Sequence, residues 1–200
     1  MTALLIIDVQ NDFLDGGSLE VRGSKSILPK INALQSKFDL VVATQDWHPI
    51  EHESFAVNHQ KELFEVIDLH GIQQVLWPVH CVQGTYGAEL HKELLQNRIE
   101  VVFRKGMDKE VDSYSAFYDN GKRKSTGLSE YLKVRGITQV YLCGVAADYC
   151  VYYSAVDAVE EGFEVFFIED ATKEISSENY QDAKNQMLDM GIQFVSSNHI

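Results

Sequence analysis

Basic residues are scarce in this sequence: 17 lysines and arginines stand against 30 aspartates and glutamates, a formal net charge of −13. Nucleic acids and anionic membrane surfaces are themselves negative, so the imbalance argues against either as a partner. Long apolar runs are missing as well. No stretch approaches the roughly 18 apolar residues of a membrane span. The run from Ala3 to Ile7 is cut by Asp8, too early for the core of a signal peptide. Three prolines and 13 glycines exclude a low-complexity or collagen-like chain. Cysteine is rare too. Cys81, Cys143 and Cys150 are an odd set without framework spacing, which fits free thiols in a reducing cytosol and predicts a cytoplasmic protein.

What is present is enough to build a core. The 200 residues are 45% hydrophobic, which suits one domain spanning 1–200. Short apolar runs alternate with amphipathic segments. Strands are predicted at Ala3–Asp8, Asp39–Asp46, Glu100–Lys105, Gln139–Val145, Glu164–Asp170 and Gln193–Val195. Helices are predicted around Ile27–Phe38, from about Ala88, around Leu128–Leu132, over Asp148–Gly162 and around Tyr180–Met187. The runs VVAT, VYLC and VFFI are continuously apolar, as strands buried on both faces should be. The expected fold is therefore α/β: a six-stranded, mostly parallel sheet in a three-layer α/β/α arrangement. The segment from Pro49 to Tyr86 carries few strand or helix signals, and a long irregular stretch of this kind is often functional.

In open α/β sheets, ligands bind beyond the carboxyl ends of the strands. Here those ends carry Asp8, then Asp46 and His48, then Lys105, and finally GVAADYC leading into a helix. Cys150 falls in the first turn of that helix, with Asp148 as the expected N-cap. Free N–H groups at a helix start favour a thiolate, and Lys105 nearby should lower the thiol pKa further. Asp8 is placed to accept the thiol proton and return it to a leaving amine. Taken alone, Cys150 reads better as a buried structural cysteine, Asp8 as a turn cap and Lys105 as a surface lysine. Their convergence at neighbouring strand ends favours chemistry.

Six motifs in order carry a resemblance: IIDVQNDF at Ile6–Phe13, TQDWHP at Thr44–Pro49, HCVQGT at His80–Thr85, Lys105-Gly106, DSYSAF at Asp112–Phe117 and GVAADYCV at Gly144–Val151. Together they resemble the nicotinamidase branch of the isochorismatase-like hydrolases, from Ala3 to about Asp170. The resemblance implies a triad of Asp8, Lys105 and Cys150 that hydrolyses nicotinamide to nicotinate and ammonia through a thioester, with pyrazinamide as a further substrate. It implies a cis Val145–Ala146 peptide and an oxyanion hole made by the backbone N–H groups of Ala146 and Cys150. Where the family commonly has Thr, this chain has Ala147.

Asp46 and His48 are two residues apart, so in an extended segment both can face one ion. Spacing alone also allows a capping Asp and a surface His. The resemblance adds His80 as the third ligand of one divalent metal ion that holds the substrate ring. Two imidazoles and a carboxylate suit Zn²⁺, with Fe²⁺ or Mn²⁺ as alternatives. Cys81 reads as a non-ligand. His52, His59, His70, His91 and His199 read as solvated, although His52 and Ser54 lie near enough in sequence to touch the site. Phe13 and Trp77 match the family's pocket walls or else pack in the core, while Tyr114 and Phe117 could line the pocket but read better as core. Another amidase of the superfamily, acting on a carbamoyl compound or other small amide, is the alternative enzyme. A scaffold that had lost its chemistry should lack Asp8, Lys105 or Cys150, and all three are present. The oligomeric state stays open, a homo-oligomer included.

Overall fold

The first strand, β1 (Thr2–Ile7), shows how the layers are built. Successive side chains of a strand point to opposite faces. Leu4 and Ile6 enter one hydrophobic cluster, while Ala3, Leu5 and Ile7 enter another. The computed structural model describes residues 1–200. Along the chain follow β2 (Leu40–Asp46), β3 (Val66–Leu69), β4 (Ile72–Val75), β5 (Val101–Lys105), β6 (Gln139–Val145), β7 (Glu164–Lys173) and β8 (Gln193–Val195). Six of them form one sheet in the order β5-β2-β1-β6-β7-β8, with every neighbouring pair parallel.

The helices are α1 (Leu28–Leu34), α2 (Leu128–Val134), α3 (Cys150–Glu160) and α4 (Ser177–Asp189). Leu28, Ile31 and Leu34 of α1 cover the face that bears Leu4 and Ile6. Leu132 of α2, Val151 and Ala155 of α3, and Ala183 and Met187 of α4 cover the opposite face. The result is the three-layer α/β/α fold expected from the alternating pattern. No helix is long and apolar enough to cross a membrane.

Three local expectations are corrected. The helix predicted from about Ala88 is only a 3₁₀ turn, Tyr86–Ala88. The carbonyl of Glu89 and the N–H of His91 pair with the turn after β1, through Asn11 N–H at 3.0 Å and the Val9 carbonyl at 2.9 Å, which draws that backbone out of a helix. Asp148 does not cap α3, which starts at Cys150. Its carboxylate instead accepts the N–H groups of Ile175 and Ser176, each at 2.9 Å. The stretch from Pro49 to Tyr86 contains the antiparallel hairpin β3-β4. His70 and Gly71 turn it with φ of 53° and 85°, the paired left-handed conformation that two-residue hairpins favour.

Candidate active site

The parallel register delivers the predicted residues to one edge. Asp46 and Lys105 are register partners at the ends of β2 and β5, Asp8 follows β1, and Cys150 opens the helix after β6. Gly144 lets β1 and β6 close up just before this point: a Cβ there would stand 2.1 Å from the Ile7 carbonyl oxygen. Asp8 has φ 50°, unusual for a residue with a side chain. Thr44 holds that turn. Its Oγ1 accepts the Asp8 N–H at 3.1 Å and donates to Asp8 Oδ1 at 2.6 Å.

The Lys105 ammonium is buried among four partners. It donates to Asp46 Oδ1 at 2.5 Å, to the Ser113 carbonyl at 2.8 Å and to Cys150 Sγ at 3.5 Å. It also faces Asp8 Oδ2 at 2.9 Å, as an ion pair outside hydrogen-bond alignment. The Cys150 sulfur lies within 4.8 Å of carboxylate oxygens of both Asp8 and Asp46.

Charge sets the resting protonation. Burial pulls the Lys105 pKa down, but Asp46 and Asp8 outweigh it and hold the ammonium well above its usual range. Burial pushes Asp46 up, yet Lys105 and His48 hold it well below the usual carboxylate range. Asp8 ends above its ordinary value because burial and the Asp46 charge together exceed the pull of Lys105. The Cys150 thiol is corrected against expectation. Lys105 does draw it down, but burial comes first and Asp8 and Asp46 add to it, so the pKa rises well above the ordinary thiol value. The resting thiol is therefore protonated, and a thiolate forms only when its proton is taken.

Two amides complete this corner. The Val145–Ala146 peptide is cis. The N–H groups of Ala146 and Cys150 donate to no backbone carbonyl or side chain of the protein, and both residues line the same cavity.

Beside the triad, one oxygen of Asp46 and ring nitrogens of His48 and His80 lie within 4.8 Å of one another. His48 Nδ1–H donates to the Gly106 carbonyl at 2.8 Å, and His80 Nδ1–H to the Pro78 carbonyl at 2.8 Å. These bonds anchor both rings with Nε2 facing Asp46 Oδ2, at 3.5 and 3.8 Å. His48 Nε2 is buried with no hydrogen-bond partner of its own. An orphaned imidazole nitrogen, an anionic carboxylate and anchored rings fit a divalent cation.

A small cavity opens at this corner. Phe13, Trp77, Asp46, His80, Ala146 and Cys150 all line it. Trp77 Nε1–H donates to the Tyr114 hydroxyl at 3.2 Å, and its ring meets Tyr149 edge-on at 4.9 Å.

Residues 2–199 match the isochorismatase domain. A nicotinamidase of Acinetobacter baylyi is 48% identical over 200 residues, covering 99% of this chain and 94% of that one. Among solved structures, PnC1 of L. infantum in complex with nicotinate superposes with a TM-score of 0.88 at 41% identity, covering 99% and 93% of the two chains. A pyrazinamidase of Pyrococcus horikoshii in complex with zinc gives a TM-score of 0.81 at 36% identity, covering 98% of each. This chain belongs to the isochorismatase family, in its nicotinamidase branch.

Within this nicotinamidase-branch chain, all the predicted site residues meet at one cavity or directly behind its wall. Tyr114 does both, packing in the core and lining the cavity, whereas Phe117 packs in the helix-covered core as expected. Leu19, Asp112, Tyr149 and Ile175 also line it and were missed. Tyr149 was the findable one, since it directly precedes the nucleophile candidate. His52 and His91 are buried, contrary to the solvated reading, while His70 and His199 are exposed and His59 is half-buried. The His52 ring lies 4.3 Å from that of His48, tilted by 44°, and its Nδ1 and the Ser54 hydroxyl hydrogen-bond each other at 2.7 Å. Burial holds this imidazole down at about 4, so it is neutral. Cys81 stays outside the ligand group; its φ of 46° is left-handed, not the extended backbone assumed for it.

Proposed function

We propose that the chain, as one hydrolase domain across residues 1–200, hydrolyses nicotinamide to nicotinate and ammonia, and also deamidates pyrazinamide. The observation that carries this reading is the shared cavity: Cys150, the free N–H groups of Ala146 and Cys150, and Asp46 and His80 of the ligand cluster line one small, aromatic-walled space. The lining includes Asp46 and Asp112 and no arginine or lysine, and the nearby Lys105 is engaged by two carboxylates. A neutral amide suits such a space better than an anionic substrate.

Asp8, Lys105 and Cys150 act together in this mechanism. As the sulfur attacks the carboxamide carbon, Asp8 takes the thiol proton; its raised pKa suits a group that must accept and return a proton. The carbonyl oxygen gains negative charge and accepts the N–H groups of Ala146 and Cys150. Losing one such donor costs about 2.7–4 kcal/mol of transition-state stabilisation. Collapse breaks the C–N bond, and Asp8 returns the proton to the departing ammonia. Water then attacks the thioester, Asp8 again takes the proton, and nicotinate leaves with the thiol restored. Lys105 holds Asp8 and Asp46 in place and keeps the paired acids from repelling each other.

Asp46, His48 and His80 would hold one divalent ion, Zn²⁺ in our reading with Fe²⁺ or Mn²⁺ as alternatives, which would supply a Lewis acid for the ring nitrogen. The zinc named for the P. horikoshii relative supports that choice. Phe13 and Trp77 flank the flat ring. Three buried free cysteines support a cytoplasmic location. The test is direct. Metal-loaded protein releases ammonia from nicotinamide and pyrazinamide, and Cys150→Ala releases none. A metal-loaded wild type inert towards nicotinamide overturns the assignment, and activity on other small amides would then favour a different amidase.

A further inference from the structure

The turn after β1 carries three polar side chains in a row, Gln10, Asn11 and Asp12, none of which enters the reaction above. Gln10 is fully buried. Its amide uses both hydrogens and its oxygen. Nε2 donates to the carbonyls of Asp46 at 2.8 Å and Ala88 at 2.9 Å, and Oε1 accepts the Asp46 N–H at 2.8 Å. One side chain thus grips Asp46 by both its N–H and its carbonyl.

Asp12 reaches the other two candidate ligands. Its Oδ2 accepts the N–H of Cys81, next to His80, at 2.7 Å. The carbonyl of the same Cys81 accepts the N–H of His48 at 3.0 Å. The surrounding loop closes hard on this carboxylate: a Cβ at Gly87 would stand 2.0 Å from Asp12 Oδ2.

We propose that Gln10 and Asp12 are positioning residues of the metal site, Gln10 setting Asp46 and Asp12 setting His80 and His48 through Cys81. This rests on the reading of Asp46, His48 and His80 as ligands. A cation needs its donors held close to ideal distances, and hydrogen bonds behind the ligands are the usual means. The same turn starts at Asp8 and ends at Phe13, so the ligands are referenced to the segment that bears the base and one pocket wall.

Zinc affinity, measured on the purified full chain by competition with a chromophoric chelator, tests this. Asp12→Asn and Gln10→Met should bind zinc about 10–100-fold more weakly, the range seen for groups behind metal ligands. Asp12→Asn keeps an acceptor, so it should fall between wild type and Asp12→Ala. Asn11→Ala is the control, because Asn11 Nδ2–H ties the same loop through the Tyr86 carbonyl at 2.7 Å without touching a ligand residue. It should keep wild-type affinity. At saturating zinc, both test variants should recover kcat while KM stays raised. Wild-type affinity in folded Asp12→Asn and Gln10→Met, or a kcat loss that saturating zinc does not restore, overturns the proposal. If Gln10→Met does not fold, Asp12→Asn decides alone, with its fold checked by circular dichroism. A wild type that binds no zinc removes the metal-site reading and this inference with it; zinc-binding wild type beside unaffected variants removes only the positioning roles.

Discussion

Lys105 and Asp46 face each other across neighbouring strands, and their buried charges meet at 2.5 Å. With Asp8 at 2.9 Å from the same ammonium, one cation neutralises two interior acids. Lys105→Met would leave both uncompensated. Breaking a buried pair costs about 3–5 kcal/mol, or roughly 6–20 °C in the melting midpoint of a chain this size. Thermal melts and an ammonia assay should show a large loss of stability and no activity. An unchanged midpoint would contradict this account of the site.

Stripping the metal should separate binding from chemistry. The ligand cluster lies beside the triad, and no proton transfer in the proposed reaction passes through it. Chelator-treated protein should show a KM raised by a larger factor than kcat is lowered. Its melting midpoint should also fall, since a ligand bound only to the folded state stabilises by mass action. Kinetics and melts with and without re-added zinc check both. Unchanged KM after verified metal removal would exclude a ring-holding role.

Gly106 is required twice over. Its φ is 63°, and a Cβ there would stand 2.3 Å from His48 Cε1, while its carbonyl accepts the His48 Nδ1–H. Gly106→Ala should destabilise by at least about 1 kcal/mol and weaken zinc binding about 10–100-fold. A folded Gly106→Ala protein with wild-type zinc affinity would show that the His48 ring is not held in this way.

Away from the site, Glu161 predicts a pH dependence of stability. Hydrogen bonds from Lys133, Ser129 and Tyr118 draw its pKa down to about 2. A carboxylate depressed on folding contributes stability that is fully present above its unfolded pKa and is lost as pH falls through the folded one. Glu161→Gln should therefore melt below wild type at neutral pH, and the gap should close between about pH 4.5 and 2. Melts across that range give the answer; a gap independent of pH would mean the charge is not what matters.

The strand ends were legible because apolar runs stop abruptly at charged residues: Ile7 gives way to Asp8, and β2 and β5 end on Asp46 and Lys105. The start of α3 at Cys150 was legible within two residues. The missed pocket walls depend on loop paths that no periodicity encodes. Tyr114 is carried by a loop that Asp119 folds by accepting the N–H groups of Gly121, Arg123 and Lys124. The thiol pKa went the wrong way for a related reason. Lys105, Asp8 and Asp46 could all be read from the strand ends, but the burial that outweighs the pull of Lys105 could not.

Asp148 clasps the backbone at Ile175 and Ser176, two positions before the sulfur and at one wall of the cavity. One carboxylate therefore ties the loop that bears a pocket-lining side chain to the turn leading into α3. Trimming the Ile175 side chain would widen the cavity and leave that backbone tether to the start of α3 intact.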